Sequence, residues 1–170
     1  MLRQLHKIWK TGVITESLPQ DEQRVLEEIG AQLKAAVGRR FRGSLAIRAV
    51  DAGSCNGCEL EIHALNNAYY NLERFGIHFV ASPRHADMLL VTGPVSRHMQ
   101  AALQRAWQAT PDPKLVIAVG ECGANGGEFG ISYASCGAVS NVIPVDAVIR
   151  GCPPVPMDLL RGILEAINAP

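Results

Sequence analysis

Residues 86–120, ADMLLVTGPVSRHMQAALQRAWQATPDPKLVIAVG, decide the fold class of this chain. The stretch opens with an apolar run at 86–92 and closes with a second apolar run at 115–120, and both are typical of buried strands. Between them, apolar residues recur at helical spacing over 95–108. Two strands joined by a crossover helix form a unit of a parallel sheet. The stretch therefore predicts an α/β fold.

The flanking sequence repeats this alternation of apolar runs and helical spacing. Further strands are predicted at 44–50, at 142–149 and, as the weakest of the set, near 77–81, and further helices at 59–73 and 156–168. The chain has 170 residues, of which 48% are apolar and 19% charged, which is typical of one packed domain. We therefore expect a mostly parallel sheet covered by helices over residues 44–170.

Two predicted helices precede the sheet and form an N-terminal helical arm, residues 1–43. The first, at 1–10, combines an apolar face with basic residues that fall largely elsewhere; the face comprises Leu2, Leu5, Ile8 and Trp9, and the basic residues are Arg3, Lys7 and Lys10. Such a helix is typical of a membrane surface or of a docking site on a partner protein, and a terminal helix that simply frays is the third alternative. The second helix carries apolar residues at helical spacing from residue 25 and is predicted to stop at Gly38, Arg39 and Arg40.

The composition excludes several classes of function. Sixteen Lys plus Arg balance 16 Asp plus Glu, and only 5% of residues are aromatic, so neither the cationic field nor the stacking platforms of nucleic-acid binding are expected. Residues 120–127 are rich in glycine but match neither G-x-G-x-x-G nor a P-loop, which excludes nucleotide binding. No signal peptide and no apolar run of about 18 residues is present, so we expect a cytoplasmic location.

Three separate predicted strands deliver cysteines just beyond their carboxyl ends. Cys55 follows the first strand, Cys122 follows LVIAVG, and Cys152 follows VDAVIR. Ligands of open parallel sheets bind at this edge, so sulfurs that are distant in sequence are expected to converge there. Cys55 and Cys58 also form a Cys-Asn-Gly-Cys motif, whose spacing lets one tight loop turn two thiolates toward a common metal.

Four cysteines at this edge could bind an iron-sulfur cluster, bind a zinc ion, or remain ordinary free thiols. Their spacing in the sequence does not distinguish these three alternatives. Structural zinc sites usually have two close pairs of ligands, whereas only Cys55 and Cys58 are close here. The glycines of residues 120–127 can wrap a bulky group and offer backbone N–H groups to its sulfurs. These features favour a cubane cluster.

Three further side chains near these motifs receive simpler interpretations. Cys136 has no nearby partner in the sequence and is predicted to be a buried, inert thiol. Glu59 and Glu61 directly follow the cysteine pair and are predicted to be solvated acids at a helix start, with proton transfer beside a redox centre as the alternative.

Four segments of the sequence resemble a known family. They are GSCNGCELEIHAL (53–65), RFGIHFVASPRHADMLLVTGPVSR (74–97), GECGANGG (120–127) and VIPVDAVIRGCPPVP (142–156). Together they are similar to the small subunit of membrane-bound, energy-converting [NiFe] hydrogenases of the formate hydrogenlyase and hydrogenase-4 type. The same superfamily contains the 20 kDa subunit of complex I, whose first two cysteines are adjacent. The Cys-Asn-Gly-Cys motif of this chain therefore favours the hydrogenase branch.

The resemblance implies a flavodoxin-like domain, a mostly parallel sheet with helices on both faces, that carries one [4Fe-4S] cluster. Carried over by position, the cluster ligands are Cys55, Cys58, Cys122 and Cys152, and none of these residues is catalytic. The implied partners are a large subunit bearing a NiFe centre, a ferredoxin-like iron-sulfur subunit and integral membrane subunits. The resemblance further implies a cytoplasmic chain, peripheral on the inner face of the cell membrane through its complex.

Electron transfer to and from the large subunit is therefore the expected function. Two alternatives remain open at this point. The first is the cluster-bearing subunit of a quinone reductase of the complex I type, and the second is a zinc-stabilised scaffold without redox activity.

Overall fold

Five parallel strands form the central sheet of the protein, in a computed structural model that describes residues 2–12 and 20–169. They are β1 (Leu45–Asp51), β2 (Ile77–Phe79), β3 (Met88–Thr92), β4 (Leu115–Val119) and β5 (Ala147–Ile149). The strand order is β2-β1-β3-β4-β5, and all neighbouring strands pair in parallel. This is the order of the flavodoxin-like fold, so the predicted fold class is confirmed.

Helices cover both faces of this sheet. The helices of the described residues are α1 (Leu2–Thr11), α2 (Gln20–Phe41), α3 (Gly57–Ala64), α4 (Arg97–Ala109), α5 (Gly120–Asn125) and α6 (Pro156–Asn168). Helix α1 takes no part in covering the sheet, because all of its described side chains are exposed. Buried residues of α2, α3 and α6 join one apolar cluster with the strands, whereas Leu103 of α4 joins a second cluster. Within the described ranges, no helix is long and apolar enough to cross a bilayer.

The central strands are buried on both faces, which explains their uninterrupted apolar sequences. In β3, Met88 and Leu90 belong to the cluster formed with α2, α3 and α6, while Leu89 and Val91 belong to the cluster formed with α4. Successive side chains of a strand point to opposite faces, so a strand covered on both sides needs apolar residues at every position. The continuous runs in the sequence therefore mark the middle of the sheet.

Two aspartates at the amino edge of the sheet fix the alignment of neighbouring strands. Asp87 accepts a hydrogen bond from the Ala46 N–H at 2.9 Å and donates its own N–H to the Ala46 carbonyl at 2.8 Å. Asp146 forms the same pair of bonds with Val116, at 2.7 and 2.9 Å. A one-residue slip would break both bonds and turn buried side chains to the other face. The two pairs thus hold the register that also aligns the carboxyl ends.

The predicted helix at 59–73 is too long, because α3 ends at Ala64. The Asn67 side-chain oxygen accepts hydrogen bonds from the N–H groups of Tyr69 and Tyr70, both at 2.9 Å. Asn71 then adopts a left-handed conformation with a φ of 42°. Asparagine side chains that bond nearby N–H groups compete with the helix, so this stretch forms turns instead.

The predicted strand at 142–149 is also too long, because β5 begins only at Ala147. The N–H groups of Val142 and Ile143 donate to the Val139 carbonyl at 2.9 and 3.1 Å and close a short helical turn. Pro144 follows this turn and has no N–H to donate to a neighbouring strand.

The second predicted helix runs past its predicted stop to Phe41. The Arg40 guanidinium donates to the carbonyls of Ile167 and Ala169 near the end of α6, at 2.7 and 3.1 Å, so this turn of α2 is held by tertiary contacts. The stop comes from Gly43, which has a φ of 96° and donates its N–H to the Val37 carbonyl at 3.2 Å.

Two glycines of α2 are expected to respond in opposite directions to the same substitution. A Cβ at Gly30 would overlap the buried ring of Phe75, so we expect Gly30→Ala to lower the free energy of unfolding by about 1–3 kcal/mol. No atom of the described residues lies within 4 Å of a Cβ at Gly38, so Gly38→Ala should raise the free energy of unfolding by about 0.5–1 kcal/mol. Urea unfolding of both variants measures the difference. Shifts of the same sign would contradict this account of α2 packing.

Candidate metal centre

Four cysteines lie on loops and helix starts at the carboxyl ends of three strands. Cys55 follows β1 and Cys58 lies in the first turn of α3. Cys122 lies on α5, which begins directly after β4, and Cys152 follows β5. In the sheet order, β1 and β4 flank β3, and β5 is the neighbour of β4. The predicted common edge of the sheet is therefore present.

Close approaches between these loops show that the cysteines converge. A Cβ atom on Gly120, at the end of β4, would lie 2.7 Å from the Cys58 sulfur, so this sulfur is packed against the backbone of another strand end. A Cβ on Gly57 would lie 3.5 Å from the Cys55 sulfur and 3.8 Å from Pro153, which follows Cys152. Gly120 has a φ of 79°, a conformation that glycine adopts without strain. The absence of side chains at Gly57 and Gly120 leaves the space that the sulfurs of Cys55 and Cys58 occupy.

The loop around Cys122 is also closed by glycine and by backbone bonds. A Cβ on Gly127 would lie 2.7 Å from the Cys122 sulfur. The Glu121 N–H donates to the Gly151 carbonyl at 3.0 Å, which joins α5 to the segment that carries Cys152. Helix α5 was not predicted from the glycine-rich sequence of residues 120–127.

Two of the backbone N–H groups expected to face a bound group are engaged elsewhere. The Gly126 N–H donates to the Cys122 carbonyl at 2.9 Å, and the Gly127 N–H donates to the Asn125 side chain at 2.8 Å. For these two glycines the expectation of free N–H donors is wrong, because the N–H groups close the end of the short helix.

Burial and mutual repulsion disfavour the charged form of these thiols. Burial, followed by the charges of Glu59 and of the other three site cysteines, raises the pKa of Cys58 to about 11. Burial, followed by Cys152 and Cys55, raises the pKa of Cys122 as well. Because charge interactions weaken with distance, these effects place the four sulfurs in one electrostatic neighbourhood. A cationic group bound among them would relieve the repulsion and deprotonate the thiols.

The donor set consists of thiols of differing exposure. Cys58 is buried, Cys122 is half-buried, and Cys55 and Cys152 are exposed. As placed, no group of three or more His, Cys, Asp or Glu side chains in residues 2–12 and 20–169 could hold a metal ion. Four thiols around a glycine-lined edge fit an iron-sulfur cluster, which thiolates bind.

The prediction that Glu59 is a solvated acid is wrong. Both of its carboxylate oxygens are buried and have no hydrogen-bond partner among the described residues. Glu59 lines a cavity of about 230 Å³ together with Arg48, Asp51 and His63. The helical spacing could have predicted the burial of Glu59, because Glu59 precedes the buried Ile62 by three residues and lies on the same face of α3.

Cys136 lies apart from the site, as predicted for a buried thiol. It is 7% exposed and belongs to the apolar cluster on the α4 face. Its sulfur donates a hydrogen bond to the Gln100 side chain at 3.4 Å.

Exposed apolar side chains border the cysteine-bearing loops, and we call them the apolar rim. The rim comprises Leu60, Phe129, Ile131, Tyr133 and Val155, which are 61%, 62%, 73%, 97% and 53% exposed. Leu60 lies shortly after Cys58 in the sequence, and Val155 lies shortly after Cys152. Phe129, Ile131 and Tyr133 lie on the loop after Gly127. A β-bridge between Ser135 and Ser96 holds this loop at the carboxyl end of β3. Large apolar side chains exposed together are typical of a protein interface. This surface was not predicted from the sequence. The signal available was FGISY at 129–133, an apolar stretch that belongs to no predicted strand or helix.

The metal-free thiols are expected to react with iodoacetamide in a defined order. Since the thiolate is the nucleophile and the pKa of Cys58 is about 11, only about 0.1% of this thiol is charged at pH 8. Exposed Cys55 should therefore be alkylated well before buried Cys58, and the Cys58 rate should rise about tenfold per pH unit from pH 8 to 10. Both cysteines lie in the tryptic peptide 49–74, so tandem mass spectrometry of its fragments gives the two rates separately. Equal rates for Cys55 and Cys58 at pH 8 would contradict the described burial.

The fold and this strand-end cysteine set agree with one protein family. Residues 55–166 match the family described as NADH ubiquinone oxidoreductase, 20 Kd subunit, and the matched region contains all four cysteines of the site. The chain belongs to this family, whose members are subunits of oxidoreductase complexes. The resemblance found in the sequence is thereby confirmed.

Two individual relatives of this chain are subunits of hydrogen-metabolising complexes by name. Formate hydrogenlyase subunit 7 of Escherichia coli (strain K12) is 45% identical over 143 residues, which are 84% of this chain but only 56% of that protein. The chain thus spans just over half the length of this curated relative. The probable membrane-bound hydrogenase subunit mbhJ of Pyrococcus furiosus is 43% identical over 147 residues, 86% of each chain.

Solved structures share the same architecture. A chain of the membrane-bound sulfane sulfur reductase, an archaeal respiratory membrane complex, is 36% identical with a TM-score of 0.63, covering 79% of this chain and 75% of that one. A chain of an NAD+-reducing [NiFe]-hydrogenase has a TM-score of 0.52 at 18% identity, covering 70% of this chain and 92% of that one. The second likeness concerns the fold alone.

Proposed function

We propose that this chain is the electron-transfer small subunit of a membrane-bound [NiFe] hydrogenase complex, holding one [4Fe-4S] cluster on Cys55, Cys58, Cys122 and Cys152. The observation that carries the proposal is the delivery of four thiols by three strand ends to one edge of the sheet. Two relatives support the hydrogenase assignment, because one belongs to formate hydrogenlyase and the other to a membrane-bound hydrogenase.

When bound, a [4Fe-4S] cluster supplies one-electron transfer. The residues of this chain hold it and set its surroundings. Gly120 and Gly127 let the sulfurs of Cys58 and Cys122 lie against the backbone. Cys58, at 9% exposure, keeps water from one side of the site. Thiolate ligation, burial and nearby charge determine the reduction potential.

The apolar rim is the surface for the hydrogenase large subunit in this proposal. Its residues lie on the segments that carry or follow the site cysteines, so we propose that a partner seated on it excludes water from the exposed Cys55 and Cys152. The large subunit carries the NiFe centre and the hydrogen chemistry, and no residue of this chain is catalytic. A ferredoxin-like iron-sulfur subunit supplies or removes the electrons.

Integral membrane subunits complete the proposed complex, which holds the chain peripherally at the cytoplasmic face of the cell membrane. We also propose that residues 1–43 serve as a helical arm and residues 44–170 as the iron-sulfur domain. The arm contributes Leu26, Leu33 and Val37 of α2 to the apolar cluster that supports the sheet.

A quinone reductase of the complex I type is the second candidate, and the description of the matched family favours it. The neighbouring large subunit distinguishes the two, because nickel requires cysteine ligands. Two Cys-x-x-Cys pairs in that subunit would support the hydrogenase, and their absence would favour quinone reduction.

Metal and sulfide analysis of the chain, purified without oxygen, tests the cofactor assignment. We expect about four iron and four sulfide per chain, as in a cubane cluster. Reduction with dithionite should bleach the visible absorbance and produce an electron paramagnetic resonance signal. One zinc per chain without iron would instead identify the non-redox scaffold.

A further inference from the structure

Helix α1 exposes an entire apolar face. Leu2, Leu5, Ile8 and Trp9 are 84%, 57%, 67% and 83% exposed. The helix is ten residues long, about 15 Å, and isolated helices of this length are marginal in water. A Thr11 hydroxyl bond to the Lys7 carbonyl and a Gly12 N–H bond to the Ile8 carbonyl close its last turn, at 2.7 and 2.9 Å. This helix therefore needs a surface that covers its apolar face.

The polar face of α1 is cationic. Arg3, Lys7 and Lys10 line one shallow depression together with His6. No acidic residue precedes Glu16 in the sequence, although the whole chain has no net charge. The positive charges of this segment thus lie on the same helix as the uncovered apolar face.

We propose that α1 binds directly to an anionic lipid bilayer surface. Its apolar face enters the boundary of the acyl chains, and Arg3, Lys7 and Lys10 lie at the phosphate headgroups. Charge complementarity selects this partner, because an interfacial helix combines Trp and Leu on one face with Lys and Arg on the other. An aromatic indole at Trp9 suits the headgroup level. This contact goes beyond the proposed function, in which other subunits hold the chain at the membrane.

Sedimentation with vesicles tests the proposal on the full-length chain carrying its iron. We expect binding to vesicles of equal parts phosphatidylglycerol and phosphatidylcholine at low salt, weaker binding at high salt, and little binding to phosphatidylcholine alone. Lys7→Gln should weaken binding about fivefold and Ile8→Gln about tenfold. Iron content measured on the same samples separates a failure of lipid binding from a failure of cluster binding.

Matched controls exist elsewhere in the chain. Lys34→Gln removes the same charge from an exposed site on α2, and Val148→Gln makes an apolar-to-polar change at an exposed residue of β5, outside both α1 and the apolar rim. Both controls should bind the anionic vesicles like the unaltered chain. Equal binding to neutral vesicles, no binding to either kind, or equal losses in the control variants would each overturn the proposal. Loss of the membrane subunits from the Ile8→Gln complex, with vesicle binding unchanged, would identify a protein partner instead.

Discussion

Replacement of Cys122 by serine is expected to remove most of the bound iron, whereas replacement of Cys136 by serine should leave the iron content unchanged. Cys122 lies at the strand-end edge, where burial and the neighbouring Cys152 and Cys55 raise its pKa. Cys136 is buried in the apolar cluster on the α4 face. Four ligands complete a cubane, so the fifth cysteine is not required. Iron analysis and visible absorbance of both variants measure the outcome.

The two variants form a matched pair, because both change a sulfur to an oxygen. Serine at 136 can still donate to Gln100, the present partner of the Cys136 sulfur at 3.4 Å, so the fold should survive. Circular dichroism of both variants checks this. Iron retained by the Cys122 variant and lost from the Cys136 variant would show that a different set of four cysteines binds the cluster.

Substitution of Ile131 by aspartate should weaken association with the large subunit by a factor of about 30 or more. Ile131 is 73% exposed on the apolar rim, and a carboxylate there would be desolvated by the partner without a compensating charge. Central interface residues commonly account for about 2 kcal/mol or more, which corresponds to this factor. Copurification with a tagged large subunit gives the measurement.

Ile8→Asp provides the control for this experiment. Ile8 is 67% exposed but lies on α1, outside the rim, so this variant should copurify with the large subunit normally. Both variants should retain their iron, because neither side chain lies at the cysteines. Undiminished copurification of an iron-loaded Ile131 variant would show that the rim is not the surface for the large subunit.

The strands of the sheet centre could be predicted because burial on both faces leaves a simple sequence pattern. β3 and β4 lie within the predicted runs at 86–92 and 115–120, and β1 within one residue of 44–50. The placement of cysteines directly after such runs was equally visible. Parallel strands end at a common edge, so convergence of the sulfurs followed from the strand positions alone.

Elements that depend on side-chain bonds or tertiary contacts were not visible in the same way. The end of α3 depends on the Asn67 side chain, and the extension of α2 depends on Arg40 reaching α6. Helix α5 is stabilised by a bond to Gly151, 30 positions beyond Glu121 in the sequence. A pattern within one segment contains no information about such partners. The burial of Glu59 was missed because a charged side chain is usually exposed, although its helical spacing from Ile62 places it on the buried face of α3.

The distance in sequence between the cysteines bears on how the protein matures. Cys55 and Cys152 lie 97 positions apart, and their strands become neighbours of the same edge only after β3 and β4 have paired between them. Neither apolar cluster depends on Cys55, Cys122 or Cys152 for its packing. A cluster held on these cysteines, as proposed, would therefore be inserted into an acceptor that has already folded. In the proposed complex, the open carboxyl edge with its two exposed sulfurs would be the side from which iron and sulfide enter before the large subunit covers it.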